Sequence, residues 1–381
     1  MLRATLLQSR SSILLTPMCI MALILGAIGS TDSRDFLAAM TSANTFTCSA
    51  PGATATNSVP VIGANPDGTT DDYGAIQNAI DAAGSAGGGV VALPAGTFMI
   101  DNHLALENNV ELTGVGPATI IKAGPNFLSS QAPGGGYPII TTAGASNTTI
   151  ADLTADQSGV ALQGNAAGRL SGYAVEALNS SNVVVNGVNV RNAFTYSIAI
   201  VGSTDFCVEN SDVLVNSTIN RYNQLDGIHV LDSNSGQVIY NTVVSGDDGL
   251  VAHTIGAPVF NVLYAGNVVH GGATDAGLDL AVGNFPIYGI TVEDNDFYSS
   301  FWGIRTSFYD NRTGAVHDIS ISGNYIHHLS QGANSSAMQI GGTNGLGPID
   351  NVVITNNQAC NAGPIALQSG SGNGVTGTTG C

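Results

Sequence analysis

Positive charge is nearly missing from this chain. Of its 381 residues, 9 are Lys or Arg against 27 Asp or Glu, a formal net charge of −18, and Lys122 is the single lysine. Phosphate recognition needs basic residues that displace counterions, so nucleic acid is excluded as a partner. An anionic membrane surface is disfavoured for the same reason. Charge of either sign is scarce, at 9% of residues against about 25% in an average soluble domain. The composition lacks the Leu, Glu and Lys from which long helices are built. No Cys-x-x-Cys pair occurs, which removes the usual support for a zinc or redox site. No apolar run reaches the ~20 residues of a membrane span.

Glycine, at 49 residues, is abundant, as are Asn, Ser and Thr, and 44% of the chain is hydrophobic. That hydrophobicity is too high for a disordered chain. It suits many short strands joined by tight polar turns.

The N-terminal segment reads as an export signal. Arg3 and Arg10 give positive charge, residues 18–28 form an unbroken apolar or small run of 11, and Ala27-Ile28-Gly29 offers small residues for cleavage. We expect a signal peptide over 1–29, with an uncleaved anchor as the alternative, then a small, polar linker over 30–58 and one domain over 59–381. The protein is expected to be secreted, to act as a monomer, and to have no membrane contact after cleavage. Cys19 leaves with the signal. Cys48, Cys207, Cys360 and Cys381 allow three pairings, of which Cys360 with Cys381, pinning the C-terminal tail, is favoured.

Asp71-Asp72 can cap a helix, and Ala75, Ile76, Ala79, Ile80 and Ala83 then repeat at helical spacing. Gly84 and Gly87-Gly88-Gly89 end it. Short strands follow over 90–93 and 97–100. Beyond them a unit recurs: a short β-branched run, a polar turn, a second short run. Examples are NVVVNGVNV (182–190), QVIYNTVV (237–244), DISISGNYI (318–326) and NVVITNNQA (351–359). Turn positions Asn189, Asp212, Thr242, Asn267, Asn295, Asn324 and Asn357 follow at steps of 23, 30, 25, 28, 29 and 33 residues. Such a period marks a repeat architecture. Helical arrays are excluded because no repeat holds a helix-length segment, and leucine-rich repeats because their skeleton is absent. A propeller would need ~40–45 residues per repeat. The pattern predicts an all-β fold, a single-stranded right-handed parallel β-helix with apolar inward ladders, stacked Asn turns and a short N-terminal helix capping its open end.

The chemistry concentrates in RYNQLDGIHVLDSNSGQVIYNTVVSGDDGLVAHT (221–254). Asp226 precedes Asp247 by 21 residues and Asp248 by 22, about one coil, so the three carboxylates stack on strands ~4.8 Å apart. Like charges this close raise at least one pKa, which suits acid–base work. Glycoside hydrolysis needs that combination, an acid for the leaving oxygen and a base for water. A single Asp-Gly, by contrast, is ordinarily a turn; Asp67, Asp71, Asp72 and Asp232 are read so. Bound calcium is another role for such a cluster. His229 and His253 flank the carboxylates and are candidates for sugar binding or proton transfer. His317 and His327-His328 read as surface residues. Trp302, Phe308 and Tyr309 surround Arg305 and can stack on pyranose faces. Five sequons occur, at Asn147, Asn179, Asn216, Asn311 and Asn334.

Residues 59–100 resemble the N-terminal part shared by the pectate lyase-like β-helix superfamily. Residues 223–321 resemble glycoside hydrolase family 28, the polygalacturonases and rhamnogalacturonases. That family's Asn-Thr-Asp-Gly motif corresponds to Gln224-Leu225-Asp226-Gly227, and its Gly-Asp-Asp-Cys motif to Gly246-Asp247-Asp248-Gly249. The resemblance implies a secreted, inverting, metal-independent hydrolase of a pectin-like cell-wall polysaccharide. Asp248 would be the general acid, with Asp226 and Asp247 activating water. The Gly-His-Gly motif falls on 275–280 without its histidine, for which nearby His270 is the substitute. The Arg-Ile-Lys motif falls on Arg305-Thr306-Ser307, where the arginine survives and the lysine does not. That loss points toward a partly neutral polysaccharide, or one with a different uronate spacing, because Arg and Lys pair with substrate carboxylates. His229, His253, His270, Arg305, Tyr222 and Trp302 are the expected substrate-binding residues, with no metal and no cofactor. The chain also resembles the alginate epimerases, through Tyr222, a histidine, Asp248 and GDDGLVAH, although their Asp-Pro-His-Glu motif is absent. A calcium-dependent uronate lyase or C5-epimerase is therefore the alternative enzyme class. A non-catalytic carbohydrate-binding β-helix is the third reading.

Overall fold

A computed structural model describes residues 57–127, 138–158, 173–215, 225–308, 313–341 and 347–381. The expected signal segment and nearly all of the linker, Tyr222, Tyr309 and the sequons at Asn216 and Asn311 lie outside the described residues. Among the described residues, no helix is long and apolar enough to cross a membrane.

The strands form three parallel sheets of 12, 12 and 10 strands, each stacked in chain order and, beyond the first coil, taking every third strand of the chain. Each coil therefore gives one strand to each sheet, and the fold is the expected right-handed parallel β-helix. Three inward ladders make the core. Val183, Phe206, Gly236, Val262, Ile290, Ile319 and Val352 are in register in the first sheet. Val190, Val213, Val243, Val269, Phe297 and Ile326 align in the second. Ile198, Ile228, Leu250, Leu278, Ile304 and Met338 align in the third. All but Gly236 belong to one continuous buried apolar cluster. Period-2 alternation of β-branched residues thus becomes stacked columns with a dry interior.

Asn, Asp and Gly are abundant for two reasons. Seven consecutive first-sheet strands each hold one residue in the left-handed region at the same rung: Asn182, Asp205, Ser235, Asn261, Gly289, Asp318 and Asn351. Short polar side chains and glycine adopt that conformation most readily. Second, Asn241, Asn267, Asn295, Asn324 and Asn357 form a buried ladder, each Oδ1 accepting from the main-chain N–H of the residue one coil earlier at 2.9–3.0 Å. Stacked Asn turns are present, but one residue out of register with the expectation in the earlier coils. The positions equivalent to Asn267 are Asn241 and Ser211, not Thr242 and Asp212, because Thr242 and Asp212 are paired inside the second sheet.

The helix Tyr73–Ser85 buries Ile76, Ala79, Ile80 and Ala83 over the first coils. Asp71 rather than Asp72 accepts from its first N–H, Tyr73 N to Asp71 Oδ1 at 3.1 Å, while Asp72 Oδ1 takes the N–H of Asn65 at 2.6 Å. Cys360 and Cys381 are disulfide-bonded, the favoured pairing.

Candidate active site

The third sheet carries the site on its outer face. Its strands Ile228–Leu231, Leu250–His253, Ala276–Val282 and Trp302–Phe308 are consecutive coils. Period-2 alternation sends Ile228, Leu250, Leu278 and Ile304 inward and places His229, Val251, Asp279 and Arg305 on one outward ladder. Just before these strands, turns present Asp226, Asp247-Asp248 and Asp275.

The glycines after Asp226 and Asp248 are packing residues, not turn residues. A Cβ on Gly227 would stand 2.2 Å from Val243 Cγ1, and one on Gly249 would stand 2.2 Å from Val269 Cγ1. Neither has a positive φ, so the ordinary Asp-Gly turn does not account for these pairs. Glycine here lets the turn close onto the second sheet and brings each aspartate to the sheet edge. Gly227 N then donates to Asp248 O at 3.0 Å, and Gly249 N to Ala276 O at 2.9 Å, which fixes the one-coil stagger.

Asp226, Asp247 and Asp248 each bring one oxygen into a set lying within 4.8 Å of one another. Asp226 and Asp248 are each 5% exposed; Asp247 is half-buried. Such a set is relieved by shared protons or by a hard cation. Arg305 answers part of the charge: its Nη2 donates to both carboxylate oxygens of Asp248 at 3.2 Å, and its Nε donates to Asp279 Oδ2 at 3.0 Å. Ala276 N donates to Asp248 Oδ1 at 2.6 Å. Ser307 Oγ donates to Asp279 Oδ2 at 2.8 Å.

His229 Nδ1 and Asp226 Oδ2 share a hydrogen bond of 2.6 Å, and His229 Nε2 and His253 Nδ1 one of 3.1 Å. Tyr196 stacks on the His229 ring at 4.2 Å. Trp302 lies under Arg305, with the guanidinium carbon 4.6 Å from the ring centre, and donates from Nε1 to Gln339 Oε1 at 2.8 Å.

Burial drives the electrostatics. It pushes the Asp247 carboxyl up to about 8, helped by the charges of Asp226 and Asp275 and a carboxyl–carboxyl hydrogen bond with Asp275. Burial and then Asp279 hold Asp226 well above the carboxylate range. The same two causes raise Asp248, against the pull of Arg305. Burial also raises Asp279 despite Arg305, and it pushes His229 down to about 3, so its ring is neutral. The cluster therefore holds protons at neutral pH, and they belong to the group of carboxyls rather than to one residue.

Of the sequence-selected residues, the structure gathers Asp226, Asp247, Asp248, His229, His253, Arg305 and Trp302. His270 does not join them. It ends a second-sheet strand, in register with Tyr298, and its ring stands edge-on to that residue at 5.2 Å. Nearness in sequence did not reveal which sheet carries it. Sequence reasoning passed over Asp275, Asp279 and Tyr196 as site members. Asp279 had a usable signal: an aspartate between two inward leucines, one coil of 26 residues before Arg305.

A family model described as rhamnogalacturonase A/epimerase, pectate lyase-like, matches residues 57–305. Over 250 residues the chain is 29% identical to mannuronan C5-epimerase AlgE5 of Azotobacter vinelandii, covering 62% of this chain and 24% of that protein. Over 194 residues it is 32% identical to alginate lyase 7 of the same organism, covering 48% of this chain and 21% of that protein. The chain thus spans under a quarter of the length of these curated relatives. Among solved structures, the exopolygalacturonase of Thermotoga maritima superposes with a TM-score of 0.64 at 19% identity, over 80% of this chain and 81% of that one. This is a likeness of fold.

Proposed function

Because the chain belongs to the rhamnogalacturonase A/epimerase, pectate lyase-like family, we propose that it hydrolyses glycosidic bonds of a polysaccharide laid along the outer face of its third sheet. The observation that carries this reading is Asp247: half-buried, raised to about 8, and beside the more deeply buried Asp226 and Asp248, which have donors aimed at them. A carboxyl protonated at neutral pH can give its proton to a glycosidic oxygen. Asp248 faces Arg305 and the Ala276 N–H, and Asp226 faces His229. Burial raises both, against the donors and Arg305 that favour their charged forms, and the carboxylate that the coupled pair retains is the base for water.

The geometry thus supports a different division of labour from the one the resemblance implied. Asp247, not Asp248, gives its proton to the leaving oxygen as the C1–O bond breaks. A water held between Asp226 and Asp248 attacks C1 and leaves its proton on that pair. The products are a new reducing end and a free hydroxyl. This step uses no metal. Inverting enzymes typically separate the two carboxyl groups by about 6.5–9.5 Å, wider than the 4.8 Å limit of the closest oxygens here; the anomeric form of the first product decides the outcome. The apolar N-terminal segment fits export, testable by fractionating an expressing culture.

A second reading, C5-epimerisation or elimination on a uronate, is favoured by one observation. His229 is neutral, buried and hydrogen-bonded to Asp226, a form able to take a proton from carbon. One experiment separates the readings. Reducing ends and ultraviolet absorbance of unsaturated uronates are recorded together on pectic, alginate and neutral polysaccharides, with and without chelator, beside Asp247→Asn. New reducing ends without absorbance, insensitive to chelator and reduced ~10²–10⁴-fold by Asp247→Asn, support hydrolysis. Calcium-dependent absorbance supports elimination. Proton exchange at C5 without chain cleavage supports epimerisation. Sugar binding without product supports a carbohydrate-binding solenoid.

A further inference from the structure

Arg305 was expected to hold a substrate carboxylate, yet its partners lie inside the protein. Asp279 and Arg305 are in register on adjacent coils. Asp279 is fully buried, and its Oδ2 takes both the Arg305 Nε–H and the Ser307 hydroxyl. Its Oδ1 is buried with no donor, as befits a carboxyl that shares a proton with its neighbours. The other end of the guanidinium forks onto Asp248, and Trp302 covers one face. Planarity lets Arg serve two carboxylates at once, which Lys cannot do.

We propose that Asp279 is a positioning residue that commits Arg305 to Asp248, and that the subsite bordering Arg305 therefore takes an uncharged sugar unit rather than a uronate. This rests on the polysaccharide-hydrolysing reading above and names the substrate class for that site. The charge count is short. One guanidinium faces two carboxyls, so the group sums to zero if one of them carries a proton and to −1 if neither does. In either of these states it presents no net positive charge, and the guanidinium Nε and Nη2 are already committed to carboxylate oxygens. Asp226 and Asp275 are further carboxyls beside it, and the buried His229 is neutral. A substrate carboxylate entering here meets repulsion. A sugar hydroxyl can donate to the same carboxylate oxygens.

The test measures binding in an Asp247→Asn background, so that no chemistry is needed to read it. The probes are trigalacturonate and its carboxyl-reduced counterpart, galactotriose, titrated calorimetrically at low ionic strength. The expected result is tighter binding of the neutral probe by at least about tenfold, one charged contact's worth. Adding Asp279→Asn then tightens trigalacturonate about tenfold and leaves galactotriose within about twofold. Ser307→Ala, a milder change that loosens Asp279, moves trigalacturonate the same way by less, and carries the test if Asp279→Asn fails to fold by thermal melting. Trigalacturonate that gains nothing in both variants, whether from weak binding or none, overturns the proposal, as does a background protein that prefers the uronate. Reducing ends are scored separately on protein with Asp247 intact. Their absence sinks the hydrolytic reading and leaves the binding comparison readable.

Discussion

Asp226 and His229, three residues apart, share a 2.6 Å hydrogen bond while both are almost wholly buried. Taking an aspartate and a histidine out of water together favours their neutral forms, and Tyr196 stacked on the ring fixes its plane. The pair therefore shares a proton across a bond of set orientation at the edge of the third sheet. One coil on, Asp247 and Asp248 face it from the same turn position. The β-helix does the positioning. Equivalent positions recur at each strand spacing, so chemistry that needs carboxyls a few ångströms apart follows from placing aspartates one coil apart in sequence.

The pH dependence of the rate follows from Asp247. Its proton is the one transferred, so activity is present below its pKa and falls as pH rises through about 8. Asp275 contributes both charge and a shared proton to that shift. Asp275→Asn should therefore move the alkaline limb to lower pH by ~1 unit, with little change in the rate at pH 6. Initial rates between pH 5 and 10 check this. An alkaline limb that stays in place in the variant removes Asp247 from the acid's role.

Much of this was legible in the sequence, with specific exceptions. The columns Val183 to Val352 and Ile198 to Met338 announce themselves through alternation, because burial on one face leaves no other choice. The Asn ladder was seen at Asn267, Asn295, Asn324 and Asn357 but misplaced by one at Thr242, since a polar side chain beside another does not reveal which of them faces inward. Asp226, Asp247 and Asp248 stood out by their one-coil spacing, although the reason for their glycines, Val243 and Val269 packed underneath, lies in another sheet. Asp279 escaped notice as a site residue because it sits within an apolar strand. His270 was overvalued because proximity in sequence does not say which sheet a residue faces from.

Stability should fall as pH rises from 5 to 8. The carboxyls of Asp226, Asp247, Asp248 and Asp279 are all raised in the fold, so the native state binds more protons than the unfolded chain above the unfolded value of about 3.9. The stabilisation is full below that value and is lost as pH passes through the folded values, about 8 for Asp247. His229, lowered to about 3, acts in the opposite sense below pH ~6.5, but it is one group against four. Melting temperature across this range should decline, and less steeply in Asp279→Asn. A melting temperature that climbs from pH 5 to 8 contradicts the assignment.

The Asn ladder should be costly to break at its centre. Asn295 accepts through Oδ1 from the main-chain and side-chain N–H groups of Asn267, and donates through Nδ2 to Tyr264 O and Asn324 Oδ1. Asn295→Ala leaves these buried partners unpaired and should cost about 3 kcal/mol or more, since each orphaned group costs about 1–3. Thr242, exposed although sequence spacing put it in the same series, is the control. Thr242→Ala should stay within about 0.5 kcal/mol. Denaturant unfolding of the two variants separates them.

Fold and chemistry meet at Gly249. Added as alanine, its Cβ would lie 2.2 Å from Val269 Cγ1 and 2.8 Å from Gly277 O. The third-sheet strand must then move away from the second sheet, and Asp248, the preceding residue, moves with it. Gly249→Ala should cost about 1–3 kcal/mol as an overpacked site. It should lower kcat by about 10²-fold beyond what the folded fraction explains, because a shift near 1 Å at a catalytic group has that effect. Gly74 provides the contrast. It lies in the helix Tyr73–Ser85, and its added Cβ meets nothing within 4 Å. Gly74→Ala should stabilise by about 0.4–1 kcal/mol and leave the rate alone. Unfolding curves paired with kcat for both variants decide the matter. A Gly249→Ala protein that keeps its kcat would mean that the close approach of the two sheets is not what sets Asp248.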